Sequence, residues 1–199
     1  WCTDTGLAIT STNIQVHGGM GFMEETGAGQ LYRDARITTI YEGTNGVQAM
    51  DLLGRKIVRD GGEAAQIFME KVEKTIDQLD LKIESHASLS KHLKDSIGAL
   101  RETVDWMLDT FKLEPGYAAA GATALIEMMG LISGGWMLAR GAIEASRQIS
   151  DGSGDPKFLS SKLVTARYFA EVHLSRASSL VGPIKNGGSC VMDFDAAQF

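Results

Sequence analysis

The residues best suited to chemistry in this sequence form one short segment, residues 41–45 (YEGTN), built around the carboxylate of Glu42. An apolar run, residues 37–40 (ITTI), precedes the segment, and Gly43 follows the carboxylate directly. A carboxylate shielded from water holds a proton more readily, so it can act as a general base near neutral pH. A plainer interpretation is that Glu42 caps a following helix while Gly43 makes a turn. Taken alone, the segment favours the plainer interpretation, because most carboxylates in turns are unperturbed.

Two further blocks of sequence precede this segment. Residues 15–22 (QVHGGMGF) hold a glycine cluster, and residues 31–36 (LYRDAR) hold two arginines and an aspartate. Together with residues 40–45 (IYEGTN), these blocks resemble the acyl-CoA dehydrogenase family near the end of its C-terminal helical domain. The order of the three blocks and the lengths between them agree with the family pattern without gaps.

The resemblance implies a catalytic role for Glu42 as the base that removes the α-proton of an acyl thioester, while the β-carbon passes hydride to N5 of FAD. It also implies that the backbone N–H of Glu42 binds the thioester carbonyl. Gly43 would let the substrate approach the backbone, since a larger side chain would crowd it. Some family members carry the base on another helix, and Glu42 places this sequence with the majority pattern.

The resemblance further implies FAD as cofactor, contacted by two segments. The first consists of Gln15, Val16, His17, Gly18 and Gly19 and resembles the part that holds the ADP half of a neighbouring subunit's FAD. Backbone amides freed by glycine suit a pyrophosphate. The second consists of Thr44, Asn45 and Gly46 and resembles the part contacting the chain's own FAD. A site shared in this way implies a homo-oligomer. Alone, Gly18 and Gly19 would indicate only a turn between helices.

The composition is that of an ordinary globular protein, with 44% apolar and 22% charged residues among 199. The net charge of −6 argues against a nucleic-acid partner. Two distant cysteines, Cys2 and Cys190, fit a reducing compartment, so we expect a cytoplasmic protein. The sequence opens without methionine or a signal peptide, and we expect a fragment of a longer protein. The histidines lack metal-ligand spacing, and we expect no metal site.

Three prolines and long amphipathic stretches predict an all-α fold. We predict two domains. Residues 1–60 would be the end of the acyl-CoA dehydrogenase helical domain, with helices to residue 16, over 30–38 and from about 45 to 58, and a loop over 17–29. Residues 63–199 would be a C-terminal extension, an antiparallel bundle of about four long helices. Its last two long helices would cover 117–149 and a stretch starting at Asp155–Pro156, before an extended tail over 185–199.

The most apolar stretch, residues 117–143, raises the question of a membrane span. Glu127 and Arg140 interrupt the stretch, and a charge at membrane depth is costly. We therefore expect a buried helix packed through small residues instead of a stable membrane span.

These observations favour the C-terminal part of an FAD-dependent acyl-CoA dehydrogenase, which would form a trans-2-enoyl-CoA and pass electrons to an electron-transfer flavoprotein. An acyl-CoA oxidase, which uses oxygen, is a second possibility. A helical interaction or DNA-binding relative of the family is a third, which the acidic charge disfavours. We expect the 199-residue chain alone to be inactive. Acyl-chain length lies outside what these residues determine.

Overall fold

A computed structural model describes residues 1–198 of the chain. The described residues are 84% helical and contain no strand, which confirms the all-α prediction. The chain divides into two compact units, the first comprising Trp1–Met50 and the second beginning at Asp51. The part of the tail prediction that concerns Phe199 lies outside the described residues.

The first unit is built from short helices around the glycine cluster. Its α-helices are α1 (Cys2–Val16), α2 (Gly19–Phe22), α3 (Ala28–Arg36) and α4 (Asn45–Asp51), the last ending one residue beyond the unit. Two 3-10 turns, Glu24–Thr26 and Ile37–Thr39, lie before and after α3.

The prediction of a loop over residues 17–29 is wrong, because that stretch contains α2, a 3-10 turn and the start of α3. Gly21 explains the short helix α2. A β-carbon at Gly21 would lie 2.3 Å from the carbonyl oxygen of Ile14, so glycine lets α2 fold directly against α1. Gly27, at φ 73°, then ends the 3-10 turn and begins α3.

The second unit is a helix bundle. After a π-helical stretch over Leu52–Val58, its α-helices are α5 (Glu63–Ile76), α6 (Glu84–Leu113), α7 (Pro115–Ala120), α8 (Ala122–Ser150), α9 (Pro156–Tyr168) and α10 (Val181–Met192). Helices α9 and α10 are joined by a π-helical turn, Phe169–His173, and a 3-10 stretch, Leu174–Leu180. A last 3-10 turn covers Ala196–Gln198.

Consecutive long helices of the bundle run antiparallel, as predicted. Between α5 and α6, Arg101 binds Glu73 at 2.8 Å, while the Asp80 amide, beyond the end of α5, reaches His86 near the start of α6. Between α6 and α8, His86 lies 3.0 Å from Ser146. Fully buried leucine, isoleucine, valine and methionine side chains fill the space between these helices.

The end of the chain differs from its prediction, since residues 185–192 continue a helix instead of forming an extended tail. Helix α10 packs against α7 through Gly188, where a β-carbon would lie 2.8 Å from the carbonyl oxygen of Tyr117. The predicted start of α9 is confirmed, because the Asp155 carboxylate accepts a hydrogen bond from the Lys157 amide at 3.0 Å and Pro156 occupies the first turn.

The predicted helix over 117–149 is divided at Gly121 into α7 and α8. At Gly121 a β-carbon would lie 3.0 Å from Ile184 and from Met107, so glycine lets α10 and α6 pack closely against this turn. Among the described residues, one helix, α8, is both long enough and apolar enough to cross a membrane, judged by length and composition alone. Its mean hydropathy is 1.4. It also packs against α6 and α9, with Leu125 fully buried.

Candidate functional site

The candidate base lies in a turn with an unusual backbone. Glu42 has φ 54° and is the one residue other than glycine with positive φ among those described; Gly43 follows at φ 87°. A left-handed conformation costs a residue with a β-carbon about 1–2 kcal/mol. The amide of Tyr41 donates to the carbonyl oxygen of Ile37 at 3.2 Å, which ends the preceding 3-10 turn just before Glu42.

The shielding expected around Glu42 from its sequence neighbours is not found in this chain. Glu42 is exposed, and Ile40 and Tyr41 are 48% and 54% exposed. The reason is that residues 37–39 form a 3-10 turn, which buries Thr39 and leaves Ile37 53% exposed. The carboxylate therefore stands on the surface of the first unit.

Helix α4 is capped by Thr44, whose hydroxyl oxygen accepts a hydrogen bond from the Val47 amide at 3.3 Å. The plainer interpretation, in which Glu42 caps this helix, is therefore wrong. The carbonyl oxygen of Glu42 instead accepts a hydrogen bond from the Gln48 side-chain amide, Nε2, at 3.1 Å. Gln48 was not identified from the sequence, because an exposed glutamine on a short helix carries no signal by itself.

Gly43 is required by the turn itself. Its positive φ favours glycine, and a β-carbon there would lie 3.0 Å from Nε2 of Gln48 and 3.4 Å from Cγ1 of Val47. The resemblance to the family explains Gly43 by the approach of a substrate. The structure adds an independent reason, the passage of the Gln48 side chain across the turn.

Asn45 is the half-buried member of the candidate site, and its amide group is only partly satisfied. Its Oδ1 lies 3.1 Å from the hydroxyl oxygen of Thr3, which donates to it. Its Nδ2 is buried and has no hydrogen-bond partner among residues 1–198. A buried donor without a partner costs about 1–3 kcal/mol, so an acceptor atom of a bound molecule would be favourable here.

The glycine-cluster segment lies at the end of α1 and is exposed throughout. Its members are Gln15, Val16, His17, Gly18 and Gly19. The expectation that glycine frees the backbone amides does not hold at Gly18, whose amide donates to the carbonyl oxygen of Gln15 at 3.0 Å. Gly18 serves the turn instead, with φ 61° and ψ −146°, a conformation available essentially to glycine alone.

The structure brings together Glu42, Gly43, Thr44, Asn45 and Gly46 but separates them from the glycine cluster. Asn45 is bonded to Thr3 near the start of α1, whereas Gln15 lies near its end. Twelve residues of α-helix span about 18 Å. The two predicted cofactor segments are thus at opposite ends of one helix, an arrangement that suits contacts to two different parts of a large cofactor or to two cofactors.

Beside the glycine cluster lies a groove of about 510 Å³ that the sequence analysis did not identify, lined by Ile14, Phe22, Met23, Glu24, Glu25, Gly29, Tyr32 and Arg33. Arg33 and Glu24 form a two-bonded ion pair at its edge, with N–O distances of 3.0 and 2.7 Å. The hydrogen bond and charge of Arg33 lower the pKa of Glu24, and those of Glu24 raise the pKa of Arg33. Arg33 therefore braces the 3-10 turn against α3.

The second unit contains a serine–histidine contact that does not have the geometry of a nucleophilic pair. Nδ1 of buried His86 accepts a hydrogen bond from the Asp80 amide at 3.2 Å, so its proton is on Nε2. Nε2 lies 3.0 Å from the Ser146 hydroxyl and donates to it. A histidine that donates to serine cannot take the serine proton. In the part of the chain described, no group of three or more histidine, cysteine, aspartate or glutamate residues could hold a metal ion.

Comparison with known proteins identifies both parts of the chain. Residues 1–57 match the family model "Acyl-CoA dehydrogenase, C-terminal domain", and residues 68–195 match "Acetyl-CoA dehydrogenase C-terminal like". A 3-methylmercaptopropionyl-CoA dehydrogenase of Ruegeria pomeroyi is 38% identical over 96% of this chain and 32% of its own length. A broad-specificity linear acyl-CoA dehydrogenase of Mycobacterium tuberculosis is 30% identical over 99% of this chain and 33% of its own.

A shorter match, 48% identical over 52 residues, is to a short-chain specific acyl-CoA dehydrogenase of pig mitochondria; it covers 26% of this chain and 13% of the relative. The chain belongs to the acyl-CoA dehydrogenase family. It spans about a third of the length of the two relatives that match it almost end to end.

Proposed function

We propose that the chain supplies the catalytic base and part of the flavin contacts of an FAD-dependent acyl-CoA dehydrogenase. The observation that carries the proposal is Glu42 itself: a surface carboxylate on a left-handed turn, in a chain that belongs to this family. The exposure of Glu42 in this chain fits a base whose pocket is completed by parts of the protein outside these 199 residues.

In the proposed reaction an acyl-CoA loses its α-proton and a β-hydride and becomes the trans-2-enoyl-CoA. FAD, when bound, accepts the hydride. Glu42 takes the α-proton on its carboxylate, and its backbone N–H donates to the thioester oxygen as negative charge develops there. Exclusion of water by a completed pocket would strengthen both interactions.

Thr44, Asn45 and Gly46 would contact the chain's own FAD, and Nδ2 of Asn45 is a donor without a partner in the described part of the chain. Gln15, Val16, His17, Gly18 and Gly19 would contact the FAD of a neighbouring subunit. Their position at the other end of α1 supports this division. The assembly would then be a homo-oligomer with shared sites.

The substrate class we propose is an acyl-CoA thioester of undefined chain length, since the relatives' names range from a linear broad-specificity to a sulfur-containing acyl group. Electrons would pass to an electron-transfer flavoprotein in the cytoplasm. If no electron acceptor is added and one hydrogen peroxide forms for each acyl-CoA consumed, the protein is instead an oxidase. The second unit would support the dehydrogenase core as a C-terminal extension.

The proposal is tested by the substitution Glu42→Gln in the complete protein. We expect the variant to keep its flavin and to lose dehydrogenation by about 10²–10⁴-fold, the usual contribution of a positioned general base. The measurement is acyl-CoA-dependent reduction of a dye, with flavin content determined from the visible spectrum. Glu63→Gln, at the exposed start of α5, is the matched control and should leave turnover unchanged. Turnover by Glu42→Gln close to that of the parent would show that the base lies elsewhere.

A further inference from the structure

We propose that Gln48 is a positioning residue for the base: its side-chain amide holds the Glu42–Gly43 peptide and so fixes the direction in which the Glu42 carboxylate projects. The proposal rests on the proposed function of Glu42. The observation behind it is the hydrogen bond from Nε2 of Gln48 to the carbonyl oxygen of Glu42, at 3.1 Å.

The Glu42 Cα lies between two peptide groups, and the one on its C-terminal side is held directly. On the N-terminal side the nearest hydrogen bond is one peptide group further away, where the amide of Tyr41 donates to Ile37 at 3.2 Å. On the C-terminal side, the carbonyl of Glu42 is bonded to Gln48. Because the left-handed φ of 54° is unfavourable for a residue with a β-carbon, the turn relaxes unless these contacts hold it. A change of φ at Cα redirects the Cα–Cβ bond and therefore the carboxylate.

Gln48 is itself well placed to hold the turn, because it is part of a helix. Its amide donates to the carbonyl oxygen of Thr44 at 3.0 Å, in the first turn of α4. The Thr44 hydroxyl caps the same turn by accepting from Val47. The helix thus presents the Gln48 side chain from a fixed backbone, and the missing β-carbon of Gly43 gives it room to pass.

Because Gln48 is exposed, its effect on the position of Glu42 can be measured apart from its effect on the stability of the fold. Gln48 is exposed, so removing its amide leaves no cavity and no buried group without a partner. The loss of one exposed side-chain bond changes stability little, whereas a displacement of a reacting group by about 1 Å can cost on the order of 10²-fold in rate. Gln48 therefore matters for the base more than for the fold.

The test is Gln48→Met in the complete protein, a substitution of similar length that cannot donate a hydrogen bond. The matched control is Gln78→Met, because Nε2 of Gln78 donates to the carbonyl oxygen of Lys74 at 2.9 Å, also on the exposed surface. Three quantities are measured: kcat and KM for an acyl-CoA, the rate of exchange of the substrate α-proton with D2O, and the flavin content from the visible spectrum.

We expect Gln48→Met to lower kcat and α-proton exchange by about tenfold to a hundredfold, with KM within about twofold and flavin retained. Gln78→Met should behave as the parent does in all three measurements. Unchanged kcat and exchange in Gln48→Met would overturn the proposal, as would an equal loss in Gln78→Met. If Glu42→Gln also keeps the parent's rate of α-proton exchange, the proposed function of Glu42 is wrong as well. If Glu42→Gln loses exchange but Gln48→Met keeps the parent's kcat and exchange, only the positioning role of Gln48 is wrong.

Discussion

Glu42 occupies a backbone conformation that disfavours side chains, and the chain stabilises it with hydrogen bonds instead of burial. Strained residues of this kind persist only where the surroundings determine them, and they cluster at functional sites. At Glu42 the surroundings are the end of a 3-10 turn, the missing β-carbon of Gly43 and the amide of Gln48. Three local features thus hold one carboxylate in a defined place.

Gly43 gives a test of this arrangement through Gly43→Ala. The added methyl group would favour a different φ and collide with the Gln48 amide, 3.0 Å from the position of the new β-carbon. We expect the free energy of unfolding to fall by about 1–2 kcal/mol and the turnover of the complete protein to fall at least tenfold, since a base displaced by ~1 Å loses much of its rate. Chemical denaturation and steady-state kinetics measure the two effects.

The control is Gly27→Ala in the same unit. Gly27 also has positive φ, 73°, but no atom lies within 4 Å of its added β-carbon. It should lose similar stability and keep full turnover. Equal losses of turnover in the two variants would mean that general strain, and not the position of Glu42, determines activity.

At this scale the sequence predicts which residues matter better than it predicts their surroundings. Glu42 and its neighbours were found from three blocks of sequence, and their roles in the reaction remain predictions. The apolar residues 37–40 predict that Glu42 is shielded from water. In the structure a 3-10 turn buries Thr39 and leaves Ile37 and Ile40 exposed. The bond from Gln48 depends on a left-handed turn, which no composition or periodicity reveals.

At the scale of elements, α8 shows how glycine serves a long helix in two ways. At Gly135 a β-carbon would lie 2.7 Å from Cδ2 of Leu174, so the glycine lets the 3-10 stretch Leu174–Leu180 approach closely. At Gly141, on the same helix, a β-carbon would meet no atom of another described element within 4 Å. One glycine permits packing, and the other only weakens the helix.

The same substitution should therefore have opposite effects at these two positions. Gly141→Ala should raise the free energy of unfolding by up to about 1 kcal/mol through helix propensity. Gly135→Ala should lower it by about 1–2 kcal/mol, because Leu174 is fully buried and overpacking costs more than propensity gains. Urea denaturation followed by circular dichroism measures both. Stabilisation by Gly135→Ala would show that Leu174 moves aside at little cost.

The long helices were predictable because their apolar periodicity and their stop signals agree. The signal at Asp155–Pro156 corresponds to the start of α9. Helix α10 was missed because Gly187 and Gly188 indicate a break in sequence, whereas close packing of Gly188 on Tyr117 keeps the chain helical. Tertiary contact outweighs local propensity there.

At the scale of the whole molecule, the chain carries a candidate base without a shielded pocket. It spans about a third of the length of the two relatives that match nearly all of it. Glu42, Thr44 and Gly46 are exposed in this chain. The assignment of residues 1–60 and 63–199 to two functional domains stays a prediction, although the family models match residues 1–57 and 68–195 separately.

We accordingly expect the purified 199-residue chain to be helical but to retain no FAD and show no dehydrogenation. The physical reason is that its two candidate flavin segments are surface-exposed and about 18 Å apart along α1, too few contacts to hold a large cofactor. Flavin absorbance after gel filtration measures retention, and far-ultraviolet circular dichroism controls for folding. Stoichiometric FAD on a folded 199-residue chain would contradict this expectation.

The π-helical turn at Phe169–His173 bears on how such chains diverge in length. A π turn accommodates about one residue more than an α turn. The helix can thus absorb a single-residue insertion while Leu174, Ala177 and Ile184 stay in the core. We therefore expect relatives to differ by single-residue insertions or deletions within 169–173 more readily than inside α8, where one added residue would rotate every buried position beyond it.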